Sequence, residues 1–199
     1  MRSFKVITTM LAVLATAGSA AVQGFDIFYH QRSVDFIKAK ADGTSFIIVN
    51  PFLFFLINFS SVVREHYTRA TNASLIRGGY QFTRPDSSCS ATQANHFLAH
   101  GGGWPPDGRT VPAMVDLDYG SGGASCYGLS HPAESCAGNS AALSNKYPLI
   151  IAGSASSAGP LPAGWRFYTI WQYSDESPWG GDSDTLNGDM SQLKEKPSE

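Results

Sequence analysis

Two carboxylates stand two residues apart in Met114-Val115-Asp116-Leu117-Asp118-Tyr119, after an apolar run from Val111 and before the Gly-rich segment 120–123. In a strand, alternation puts Asp116 and Asp118 on one face, with Val115 and Leu117 on the other. Side by side, two acids raise each other's pKa, and neither leaves water cheaply. Such a pair serves chemistry that needs one acid and one base, or it binds a metal. The structural alternative is a strand that ends here with both acids facing solvent.

The elements that must position these acids can be read from the rest of the chain. Val22 to Ile27 reads as a first strand with Asp26 near its end. Ser33 caps a short helix through Lys40, with Val34, Phe36 and Ile37 on its apolar side and Gly43 as its stop. Ser45 to Val49 reads as a buried strand, and Leu75 to Phe82 as another with Tyr80 near its end. Between them lies Pro51-Phe52-Leu53-Phe54-Phe55-Leu56-Ile57, an uncharged run that reads as an exposed sticky loop or a misplaced core segment, and as an aggregation hazard. Asp86 or Ser87 caps a helix through His100, with Ala91, Ala94, Phe97 and Leu98 inward and Gly101 to Gly103 ending it. His96 and His100 have metal-site spacing, but Phe97 stands where a zinc protease carries Glu, so they read as surface histidines. The acid strand spans 111–119, and Tyr147 to Ala152 and Phe167 to Trp171 are short strands. Asp182 and Asp184 read as members of a Gly-rich loop.

Strands alternating with helices predict an α/β parallel sheet or barrel with its chemistry at the strands' C-terminal ends. Asp26, Tyr80, Asp116, Asp118, Trp171 and Asp184 all fall at or just after such ends. That convergence favours the functional reading of the acid pair over the solvent-facing one.

The chain of 199 residues is 43% hydrophobic and 15% charged, which suits one domain with a sizeable core. A net charge of −2 provides no basic patch for nucleic acid. Arg2 and Lys5 precede the apolar run Val6 to Ala17 and small residues at 18–21, the pattern of a secretory signal peptide over residues 1–20. Cleavage after Ala20 or Ala21 leaves a single domain from 21 to 199. The run falls short of the ~20 apolar residues of a membrane span. Export makes a disulfide between Cys126 and Cys136 the expected pairing across a turn-rich stretch, leaving Cys89 as a buried thiol or a partner for another chain. Asn58 and Asn72 both begin N-glycosylation triplets, and the second is the one expected to be used. Dinucleotide, P-loop and serine-hydrolase motifs are absent.

Read together, Gly24-Phe25-Asp26-Ile27, Arg77-Gly78-Gly79-Tyr80-Gln81-Phe82, Ala91-Thr92-Gln93-Ala94-Asn95 and Phe97 to Trp104 resemble the Chalaropsis-type lysozymes, glycoside hydrolase family 25, in their fungal form. The resemblance continues through Met114 to Tyr119, Cys126-Tyr127-Gly128-Leu129-Ser130, Thr169-Ile170-Trp171-Gln172 and Gly180 to Asp184. It implies an irregular TIM-like β/α barrel that cleaves the β-1,4 bond between N-acetylmuramic acid and N-acetylglucosamine. The partner so implied is bacterial peptidoglycan, met outside the cell by a monomer free of the membrane once its signal is removed. No metal or other cofactor is implied. By the same resemblance Asp26, Asp116, Asp118 and Asp184 are the catalytic acids, with Asp118 at the general-acid position. Tyr80, Tyr119 and Trp171 contact substrate. The sugar's own acetamido group is the nucleophile that an aspartate steadies.

The departures from the family pattern are specific. Asp118 stands in place of Glu and draws the proton donor back by about 1.5 Å, one C–C bond. Asn50-Pro51-Phe52-Leu53-Phe54 replaces a polar strand-two segment, and Gly153-Ser154 replaces Arg-Tyr-type residues. Only a few residues join Ser130 to Cys136 where the family has a helix and a strand, so the barrel is expected to lack one internal helix–strand unit. Two further readings follow from these departures: an inactive sugar-binding remnant, and a non-folding product of a defective gene model.

Overall fold

Apolar residues on both faces make the first strand, β1 (Val22–Ile27), a central one rather than an edge. The computed structural model describes residues 21–28, 30–31, 33–50, 59–82, 90–100, 102–103, 105–116, 148–153, 156–161 and 163–191. Along the chain, β1 is followed by α1 (Phe36–Ala41), β2 (Phe46–Val49), α2 (Phe59–Asn72), β3 (Ile76–Phe82), α3 (Ser90–Ala99) and β4 (Met114–Asp116). The remaining strands are β5 (Ile150–Ala152), β6 (Ile170–Ser174) and β7 (Asp182–Leu186). They form one sheet in the order β4-β3-β2-β1-β7-β6-β5, curled so that edge strands β4 and β5 come within 8 Å between Cα atoms. The result is an α/β half-barrel.

The β1 to β4 half is parallel, as right-handed β/α units make it, and β5 pairs parallel with β6. The exception is β7, which runs antiparallel to both β1 and β6. The expected wholly parallel sheet is therefore corrected to a mixed one. Asp182 and Asp184, expected in a loop, lie instead in this strand. Its residues alternate, with Asp182, Asp184 and Leu186 on the inner face, and a strand with two acids inward carries no apolar signature.

The pleat sorts the core into two layers. On the outer face Phe25, Ile27, Ile47 and Val49 pack against Phe36 and Ala39 of α1 and Ala70 of α2. On the inner face Phe46, Ile48, Val111, Met114, Ile170 and Leu186 fill the lower part of the curl. Gly24 faces inward with them, and a Cβ there would lie 2.3 Å from the Phe46 ring. Replacing Gly24 by Ala is accordingly expected to cost about 1–3 kcal/mol by overpacking, read as a lower urea midpoint.

The helices depart from expectation in detail. Asp35, not Ser33, caps α1, its carboxylate accepting from the Lys38 N–H at 2.9 Å, and Gly43 follows the helix at φ +100°. Only Phe36 and Ala39 of so short a helix reach the sheet, and Ile37 is 76% exposed. In α3, Phe97 and Gln93 are buried, whereas Ala94 and Leu98 face outward. His96 and His100 stack on the exposed side of α3, with ring centroids 4.1 Å apart.

The helix α2 was not expected at all. Among its described side chains His66 and Ala70 are buried, with Ala73 following, and the Tyr67 hydroxyl lies 3.1 Å from where a Cβ on Gly79 of β3 would stand. His66 is 2% exposed, meets Phe36 edge-on at 5.8 Å and, among the described residues, has no hydrogen-bond partner at either ring nitrogen. Burial, with Arg69 beside it, holds its pKa below the usual histidine range. Asn72 ends α2 on an exposed turn.

No helix among the described residues is long and apolar enough to cross a membrane. Residues 1–20, read above as a signal peptide, the apolar run 51–57, Asn58, Asp86, Ser87, Cys89, Cys126, Cys136, Asp118, Tyr119, Ser154 and the 130–136 region expected to be shortened lie outside the described residues.

Candidate active site

Above the apolar filling, the inner face turns polar at one end of the curl. Strand parity brings Asp26 from β1, Tyr80 from β3, Asp116 from β4, Gln172 from β6 and Asp182 from β7 to this end, with Asn50 just beyond β2. In the antiparallel register Asp26 stands directly opposite Asp182, while Asp184 stands opposite both Gly24 and Gln172, one layer deeper. Asp26 is 6% exposed and Asp184 2%.

A turn makes this pairing of acids possible. Gly180 and Gly181 have φ of +87° and +71°, and a Cβ on Gly181 would sit 1.9 Å from the Asp26 carbonyl oxygen. Only glycine lets the chain pass this close to β1 and still enter β7 with Asp182 facing inward.

Burial and neighbouring charge then set the protons. The Asp26 carboxyl is pushed up to about 7, first by burial, then by Asp182 and more weakly by Asp116, while a hydrogen bond from Gln172 opposes the rise. That bond runs from Gln172 Nε2 to Asp26 Oδ2 at 2.6 Å. Asp184 is held well above the carboxylate range by burial, then by Asp26 and Asp182. The Tyr80 phenol is also raised, by burial first and then by Asp26 and Asp116, against a hydrogen bond with Asn50. The cluster therefore holds protons at neutral pH. It can offer a protonated carboxyl and an ionised one together, which is what general acid–base work requires.

Of the residues singled out in the sequence, Asp26, Tyr80, Asp116 and Asp184 are brought together. Trp171 is not brought to the acids. It stands opposite Thr185 on the outer face, its indole N–H donating to the Gly153 carbonyl at 3.0 Å and its ring edge-on to Tyr168 and Tyr173. The period of two explains this: its neighbour Gln172 takes the inward position. Three site residues escaped the sequence reading: Asp182, placed there in a loop, Gln172 and Asn50. The alternation of Asp182, Asp184 and Leu186 after two glycines was the available signal for the first.

Clustered carboxyls of unequal proton affinity, at one end of a curled α/β sheet, are the equipment of a glycosidase. Comparison with known proteins agrees. A family model described as glycosyl hydrolases family 25 matches residues 25–135. The chain is 38% identical to an N,O-diacetylmuramidase of Arthroderma benhamiae, over 94% of this chain and 96% of that one. It is 37% identical to an N,O-diacetylmuramidase of Chalaropsis sp, over 87% and 97% respectively. Among solved structures, a family GH25 lysozyme from Aspergillus fumigatus superposes with a TM-score of 0.76 at 39% identity, over 90% of this chain and all (100%) of the other. The chain belongs to glycosyl hydrolase family 25.

Proposed function

We propose that this glycoside hydrolase is a secreted muramidase that cleaves the β-1,4 bond between N-acetylmuramic acid and N-acetylglucosamine in bacterial peptidoglycan. The observation that carries the reading is the set of acids at one end of the half-barrel, Asp26 and Asp184 buried and Asp116 and Asp182 half-buried, in a chain whose relatives are named muramidases. In this reading Asp118, two residues beyond Asp116, protonates the leaving oxygen. Asp26, with its neighbours, steadies the acetamido group as it attacks the sugar carbon, and Asp116 offsets the charge that develops there. Tyr80 and Tyr119 contact the sugar.

The remaining expectations belong to the same proposal. A signal peptide over 1–20 leads to export, residues 21–199 form one monomeric domain, and Cys126 pairs with Cys136. The domain is an irregular TIM-like barrel short of one helix–strand unit. The alignment with the Arthroderma relative supports that shortening, because it runs over 228 positions where this chain has 199 residues.

The test is release of reducing sugar ends from bacterial peptidoglycan by the purified chain from Val22 onward, beside an Asp118→Glu version. Release by the native chain is expected. The longer acid of the variant regains about 1.5 Å of reach and raises the rate by up to ~100-fold. Release by the variant alone would favour the second reading, a sugar-binding remnant disabled at Asp118. Silence from both, with no cooperative melt, would overturn the enzyme altogether.

A further inference from the structure

We propose that Gln172 is a positioning residue, whose amide fixes the Asp26 carboxyl in one rotation and opposes its protonation for the reaction; the role in catalysis rests on the muramidase reading above. The geometry is specific. Gln172 is the inward residue of β6, placed by register between Ala152 of β5 and Asp184 of β7. Its Nε2 donates to Asp26 Oδ2 at 2.6 Å, closing a contact between residues 146 apart in sequence.

The ionisable groups that face Asp26 all resist its charge or add none. From β7 come Asp182 and Asp184, from β4 Asp116 and from β3 Tyr80, while Asn50 beyond β2 is neutral. Among the described residues, burial, Asp182 and Asp116 disfavour the carboxylate, and the Gln172 amide favours it. An N–H donor is the one feature of this side chain that does so. Without that donor the proton stays on Asp26 to a higher pH still, over a range in which the carboxyl can neither steady an acetamido group nor act as a base.

Two variants of the full chain separate the donor from the packing. Gln172→Met keeps the length of the side chain and removes the donor; Gln172→Glu keeps its shape and replaces the donor with an acid. The first readout needs no turnover: carbon-13 titration of the aspartate carboxyls, with Asp26 assigned through Asp26→Asn. The second is the pH profile of reducing-end release. In either variant that folds, the Asp26 midpoint is expected to rise by about one pH unit. The acid limb of kcat/KM should follow it, so that kcat below the midpoint falls roughly tenfold while KM stays within about twofold.

An unmoved midpoint in a folded variant overturns the proposal, whatever the activity. A moved midpoint with an unchanged rate profile overturns the catalytic part of it. If the midpoint moves and the parent chain shows no turnover, the muramidase reading fails and the control of Asp26 by Gln172 stands.

Discussion

Replacing Asp26 by Asn is expected to abolish hydrolysis and, at pH 7, to raise the melting temperature. The loss of activity follows from removing a group that must exchange charge with the reacting centre, roughly 10²–10⁴-fold. The gain in stability follows from the proton. In the folded chain the carboxyl titrates at about 7 against an ordinary 3.8, so the folded state binds a proton that the unfolded state has released. Stability is full below pH 3.8 and declines as pH rises through the window to about 7. At the top of that window the ionised group costs on the order of 4 kcal/mol. An Asn there carries no such cost. Its carbonyl accepts the Gln172 N–H, and its own amide faces Asp182. The melting temperature at pH 7 should rise by roughly 8–16 °C, while at pH 4 parent and variant should melt together. Melts at the two pH values check this, and a variant that melts lower than the parent at pH 7 would contradict the electrostatic account of the site.

The second large effect is expected at Gly181. An alanine Cβ there meets the Asp26 carbonyl oxygen at 1.9 Å and the Ile27 Cα at 3.2 Å, on a backbone with φ of +71°. Backbone is on both sides of the collision, so no side chain can swing away. Gly181→Ala should cost about 3–5 kcal/mol, combining overpacking with a left-handed alanine. It should also lower kcat by ~100-fold, because the strand carrying Asp182 is displaced from Asp26. Gly159 is the control. Its φ is +75°, yet no atom of the described residues lies within 4 Å of its Cβ position. Gly159→Ala therefore bears the backbone term alone, about 1 kcal/mol. Urea unfolding of the two variants separates collision from conformation, and equal losses would refute the close approach.

What could be read from the sequence divides along physical lines. β2 was legible as a continuous apolar run, Phe46 to Val49, and β1 and β3 from the shorter apolar pairs Phe25 with Ile27 and Leu75 with Ile76. Asp26, Tyr80 and Asp116 were legible because they fall at or near the ends of the strands so read. The strand β7 was not, since Asp182 and Asp184 face a polar interior and so mimic a loop. The helix α2 escaped notice as well: among its described side chains, those turned inward are His66, Tyr67 and Ala70, a polar, an aromatic and a small residue rather than an aliphatic stripe. Trp171 attracted notice for its ring, while the strand period delivers Gln172 to the acids. Only pairing between distant segments decides such cases, and a single sequence does not print its pairings.

The insertion of β7 between β1 and β6 also bears on how the chain comes to be folded. Gln23 and Thr185, which share a side-chain hydrogen bond, lie 162 residues apart. A ribosome adding ~5–20 residues per second leaves β1 without its second neighbour for roughly 8–30 s after it is made. Through that interval β2 and β3 can assemble beside it, but the carboxyl cluster does not yet exist. Its proton-holding character switches on only once β7 has been made and paired. Long-range pairing of this kind is slow and leaves an open strand edge exposed while it waits. Yields of soluble protein should therefore depend on what shields β1 during synthesis, an attribute of the growing chain that the finished molecule no longer displays.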